Sequence, residues 1–177
     1  NDVKLTPVRA HHQFDQKTLQ RYLQKHLDYR FENMNVLQFE GGQSNPTFRL
    51  ETPDKTFVMR KKPPGKLLKS AHQVEREYRV MSALQSTDVP VPETFHLCED
   101  DSIIGTPFFI MDMVEGRVLV DAHLPSFSPE ERSSLYTSFI ESEAALHNVD
   151  YESVGLDTFG RPGNYYARQV HRWSEQY

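Results

Sequence analysis

The spacing of apolar positions changes several times along the chain. Leu19, Tyr22, Leu23, His26 and Leu27 recur at the three- and four-residue interval of one helix face. Asp15 stands just before them, where a carboxylate would accept the first free amides of a helix. Residues 35–40, 47–52 and 56–61 are short runs rich in Val, Phe, Leu, Thr and Met, which predict three strands. Gly41-Gly42 and Pro53-Asp54 punctuate these runs, as in an antiparallel meander. After Lys61-Lys62-Pro63-Pro64-Gly65 a helical stripe returns over residues 71–85, with Val74, Tyr78, Met81 and Leu84 on its apolar face. Val89-Pro90-Val91-Pro92 reads as an extended connector, because proline fixes its own φ and biases its predecessor away from helix. Two further strands are predicted over 93–98 and 107–114, with Glu99-Asp100-Asp101 in the turn between them.

Past Gly116 the pattern turns helical. Ser128-Pro129-Glu130-Glu131 is a capping box with proline at the first helical position, opening a helix to about His147 that is expected to bury Leu135, Phe139 and Leu146. Tyr166, Val170, Trp173 and Tyr177 form the stripe of a last helix that is still running at the final residue, so a piece of a longer protein is expected. The elements predict an α+β fold in which five antiparallel strands, interrupted once by a helix, precede a helical region. The expected division is a flexible arm over 1–13, a sheet-bearing lobe over 14–113, and a hinge with the start of a helical lobe over 114–177.

Composition narrows the function. The 177 residues carry a formal net charge of −5 and are 37% hydrophobic, a polar chain for one domain. An acidic balance argues against a nucleic-acid binder or a protein of anionic membrane surfaces. No apolar run approaches the ~18 residues of a membrane span, and Cys98 is the single cysteine, so no intrachain disulfide is possible. A cytoplasmic protein is expected. The 8 histidines include no His-x-x-x-His pair, and Ser44 lacks the Gly-x-Ser-x-Gly setting of an activated nucleophile.

Three segments could carry chemistry. Gly41-Gly42-Gln43-Ser44-Asn45 would let backbone amides approach an anion, with Ser44 and Asn45 adding short polar groups; it also reads as a plain hairpin turn. Phe57-Val58-Met59-Arg60 puts a base after three apolar strand residues, and Glu77 lies at the edge of the following helix face, with Glu75 pointing further away. That pair is either a phosphate-binding base with its orienting carboxylate or a solvated strand end. Phe108 to Gly116 leaves the sheet through Met111-Asp112-Met113, as a hinge would, or is a buried strand and turn.

In this order the segments resemble the aminoglycoside phosphotransferase and choline kinase family, and most closely its branch associated with acyl-CoA dehydrogenases. The likeness is carried by residues 39–47, Arg60 to Leu68, Glu75 to Val80, Val89 to Pro92 and Phe108 to Asp112. Ala145-Leu146-His147, Val154-Gly155-Leu156 and Arg168 to Trp173 continue it, so that it covers nearly all of 14–177. The resemblance implies a protein-kinase-like N-lobe and the first helices of a C-lobe. It implies transfer of the ATP γ-phosphoryl, with Mg2+, to a hydroxyl of a small molecule, and an acyl-CoA dehydrogenase as partner or fusion. It also implies roles: Gly41, Gly42, Ser44 and Asn45 over the phosphates, Arg60 on the α- and β-phosphates, Glu77 orienting Arg60, and Met111, Asp112 and Met113 at the adenine. The family's His-Gly-Asp catalytic segment does not occur in these residues. Asp157-Thr158-Phe159-Gly160 imitates a kinase magnesium motif but carries an extra residue and comes too early. Catalytic and metal-binding residues are therefore expected outside this chain. A non-catalytic kinase-like binding module is the alternative.

Overall fold

The computed structural model describes residues 4–40, 45–65, 72–161 and 163–176, the last without its side chain. Gly41, Gly42 and Ser44, with residues 66–71 and Tyr177, lie outside the described residues. In chain order the elements are β1 (Leu5–Pro7), α1 (Gln16–His26), β2 (Asn35–Phe39), β3 (Thr47–Glu51) and β4 (Thr56–Lys61). They continue with α2 (Val74–Leu84), β5 (Thr94–Cys98), β6 (Phe108–Asp112), α3 (Pro129–His147) and α4 (Tyr165–Gln176).

The strands form one antiparallel sheet in the order β1-β2-β3-β4-β6-β5. It has six strands where five were expected, and the additional one, β1, lies in the segment expected to be a flexible arm. Leu5 to Pro7 pair with Phe39 to Leu37, at the sheet edge where a proline lacking an amide is tolerated. Arg9 then ties the arm down, donating its amide to Gln38 Oε1 at 3.0 Å and its Nη2 to the Glu40 carbonyl at 2.9 Å.

Asp15 caps α1 as the sequence predicts, accepting from the amides of Lys17 (2.9 Å) and Thr18 (3.1 Å). Leu19 and Leu23 of α1 pack into a core with Phe31, Phe48, Leu50, Phe57, Met59, Phe108 and Ile110. Cross-strand partners share a face, so the registers Phe48↔Met59, Leu50↔Phe57 and Met59↔Ile110 assign this core to one side of the sheet. Each such side chain contributes roughly 1.5–3 kcal/mol by leaving water. On the other side, Tyr78 of α2 meets Phe109 edge-on at 5.9 Å, and Val58 is buried beside it.

The capping box of α3 is present in both directions, between Ser128 and Glu131. The burial expected for α3 is not: Phe139 is 58% and Leu146 47% exposed, with Leu135 half-buried. A capping box is local and sets where a helix begins, whereas burial needs a partner, and none among the described residues covers this face. Tyr166, Val170 and Trp173 of α4 are exposed for the same reason.

Candidate nucleotide site

Strand β4 presents its residues alternately to the two sides of the sheet. Met59 and Lys61 face the α1 core, and Arg60 faces α2 together with Val58. Arg60 Nε lies 3.1 Å from Glu77 Oε2, as an ion pair whose N–H is not aligned for a hydrogen bond. Both side chains are 34% exposed, and a pair so wetted contributes about 0–1 kcal/mol, so its consequence is positional rather than energetic. No hydrogen bond among the described residues uses the two Nη groups of Arg60, which are the groups a planar anion would meet.

The second oxygen of Glu77 accepts from Asn45 Nδ2 at 2.7 Å. Asn45 is buried, and its Oδ1 is left to accept from His72 Nδ1 at 3.1 Å. A relay from His72 through Asn45 to Glu77 therefore fixes the carboxylate that faces Arg60. His72 reaches this position with a φ of +59°, a left-handed conformation rare outside glycine. No sequence signal singled out His72, because its role depends on the backbone turn before α2.

A second pair runs alongside the first. Lys62 Nζ lies 3.0 Å from both Glu75 oxygens. Glu75 thus corrects the expectation that it points away: two positions apart on a helix, Glu75 and Glu77 straddle the first turn of α2 and meet two different bases of the strand end. Lys61 does neither. It is only 2% exposed, its Nζ sits 5.2 Å over the Phe14 ring, and burial lowers its pKa. Of the basic run expected at Lys61 to Lys69, residues 66–69 lie outside the described residues.

At the other end of the face, Met111 pairs with Val58 and so stands on the Arg60 side of the sheet. Asp112 pairs with Phe57, on the opposite side, and its carboxylate meets Lys55 Nζ at 3.2 Å. Its amide donates to the Glu93 carbonyl at 2.7 Å. Met113 follows directly after β6, and no hydrogen bond among the described residues uses its backbone. Between these ends Thr47 and Arg49 are half-buried, leaving part of the face open beside Arg60.

An antiparallel sheet with one helix ion-paired to its third meander strand, followed by helices, defines a kinase-like phosphotransferase class. The profile of the phosphotransferase enzyme family matches residues 35–177, and the chain belongs to that family. Acyl-CoA dehydrogenase family member 11 of Pongo abelii is 44% identical over 177 residues, covering 98% of this chain and 23% of that protein. Acyl-CoA dehydrogenase family member 10 of Mus musculus is 44% identical over 172 residues, 97% of this chain and 16% of that protein. A crystal structure from Ralstonia eutropha, assigned as an aminoglycoside phosphotransferase, superposes with a TM-score of 0.79 at 48% identity, over 93% of this chain and 47% of that one. The chain thus spans less than a quarter of these two dehydrogenase-named relatives and about half of the structural neighbour. These matches bear out the resemblance read from the motifs.

Proposed function

We propose that this chain is the nucleotide-binding portion of an ATP-dependent phosphotransferase that moves the γ-phosphoryl group to a hydroxyl of a small molecule. The observation that carries the reading is the Arg60–Glu77 pair, fixed on its carboxylate side by Asn45 and open on its guanidinium side. In this reading Arg60 donates to the α- and β-phosphates, and Glu77 holds it in place without itself touching the nucleotide. Asn45 serves Glu77 rather than the phosphates, and the phosphate-binding role that the resemblance implies is left to Gly41, Gly42 and Ser44. Met111 packs on the adenine, and the Met113 backbone, unpaired among the described residues, meets its polar edge, a role for which the engaged amide of Asp112 is less suited. ATP brings Mg2+, which neutralises phosphate charge during transfer. Following the family resemblance, its ligands are assigned to the part of the helical lobe outside this chain.

The names of the relatives favour an acyl-type or hydroxy-acid acceptor, with a dehydrogenase as fusion or partner. The test is phosphoryl transfer from γ-labelled ATP by the full-length protein to a panel of hydroxy acids and their thioesters. Transfer of label is the expected result. ATP binding without transfer to any acceptor, or without ATP hydrolysis, points to the second reading, a kinase-like binding module; arginine in place of the usual lysine favours that alternative, because its broader fork grips phosphate differently.

A further inference from the structure

A cleft of about 610 Å³ opens between the start of α2, the turn at 159–161 and α4. Arg76, Arg161, Arg168 and Arg172 line it, and no Asp or Glu among the described residues does. None of the ion pairs among the described residues involves any of the four. Two of them are held in place by the backbone. Arg76 donates Nη1 to the Phe159 carbonyl at 3.0 Å and lies 3.8 Å from the centre of the Phe159 ring. Arg168 donates Nη2 to the Arg161 carbonyl at 3.0 Å and Nη1 to the Gly163 carbonyl. No side-chain hydrogen bond among the described residues is donated by Arg161 or Arg172, whereas Arg168 donates two. Arg168 and Arg172 are four apart on α4 and so share one face.

Four guanidinium groups repel one another, and nothing in the lining neutralises them. Guanidinium forks match the planar and tetrahedral oxygens of carboxylates and phosphates, and a cleft of one sign concentrates the opposite charge. Preset donors lower the ordering cost of binding. We propose that this cleft is an oxyanion pocket, which takes a phosphate or carboxylate group borne by the acceptor, with the apolar part of the ligand against Phe159 and Tyr165. Resting on the phosphotransferase reading, this assigns an anionic substrate class. The pocket adjoins the ion pair through α2, where Arg76 and Glu77 are consecutive residues.

The test titrates the full-length protein with inorganic pyrophosphate in one arm and succinate in the other, by calorimetry. The variants are Arg161→Gln/Arg172→Gln, which touches neither backbone carbonyl, and Arg60→Ala. The expected result is saturable binding of one probe that weakens at least tenfold in the double variant and persists in Arg60→Ala. Which probe binds decides between phosphate and carboxylate. No binding of either probe, unchanged affinity in the double variant, or loss in Arg60→Ala alone overturns the pocket. Failure of the phosphotransferase reading would show separately, as absent ATP binding or transfer in a protein whose pocket still takes its probe.

Discussion

Two consecutive residues on β4 have opposite fates. Arg60 is at the strand's open face against Glu77, and Lys61 is under Phe14 in the core with burial lowering its pKa. A lysine depressed in this way costs stability while it is protonated; the loss is relieved as pH rises through the folded-state pKa toward the unfolded value near ~10.4. Lys61→Met removes the charge and keeps the packing length. We expect it to raise stability at neutral pH by about 1 kcal/mol in chemical denaturation, with nucleotide affinity unchanged. The Arg60–Glu77 pair was implied by the family resemblance, while the strand-and-helix spacing alone left it even with a solvated strand end. The Lys62–Glu75 pair and the His72–Asn45 relay were not legible in the sequence, because they depend on how the chain enters α2 after Gly65.

At the scale of elements, α1 docks through a small polar cluster as well as through Leu19 and Leu23. Tyr22 donates or accepts at His96 Nε2 (2.9 Å), and its ring stacks on His26 at 4.1 Å. Burial, and then the nearby His26, lower the His96 pKa. The unfolded chain therefore binds more protons than the folded one just below the ordinary histidine value. Stability contributed by neutral His96 is complete above about pH 6.5 and is lost as pH falls through the lowered folded value. Thermal unfolding between pH 7.5 and 5 should show a falling Tm, and His96→Gln should flatten that slope. At α3, Ser128→Ala removes the hydroxyl arm of the capping box, leaving the residue-128 amide on Glu131, and should cost about 1 kcal/mol, read from equilibrium denaturation. The helices and the meander were legible because caps, turns and period are local signals. β1 was hidden by Pro7 in a segment without periodicity, and only long-range pairing to Phe39, Gln38 and Leu37 makes it a strand. The insertion of β6 between β4 and β5 is likewise a tertiary outcome that no local run of residues encodes.

Over the whole molecule, apolar exposure is concentrated after the hinge. Phe139 and Ile140 of α3 and Val170 and Trp173 of α4 are each more than half exposed, while the sheet lobe buries its large side chains. A surface of this kind binds hydrophobic dyes and promotes association. Residues 1–177 prepared alone should enhance anilinonaphthalene sulfonate fluorescence, and Phe139→Ser/Ile140→Ser should reduce it; an unchanged signal would place the dye elsewhere. Arg60 and Met111 stand on one face of the sheet, with Glu77 of α2 against Arg60, and in the proposed reading this face receives the nucleotide. The proposed function requires that this face bind ATP through Arg60. Its most direct test is calorimetric titration of ATP with Mg2+ into the full-length protein and its Arg60→Ala variant, with Tm measured on both. A loss of affinity of about tenfold or more in Arg60→Ala, the worth of one charge-assisted contact, is expected at an unchanged Tm. Equal affinity in the two proteins would contradict it.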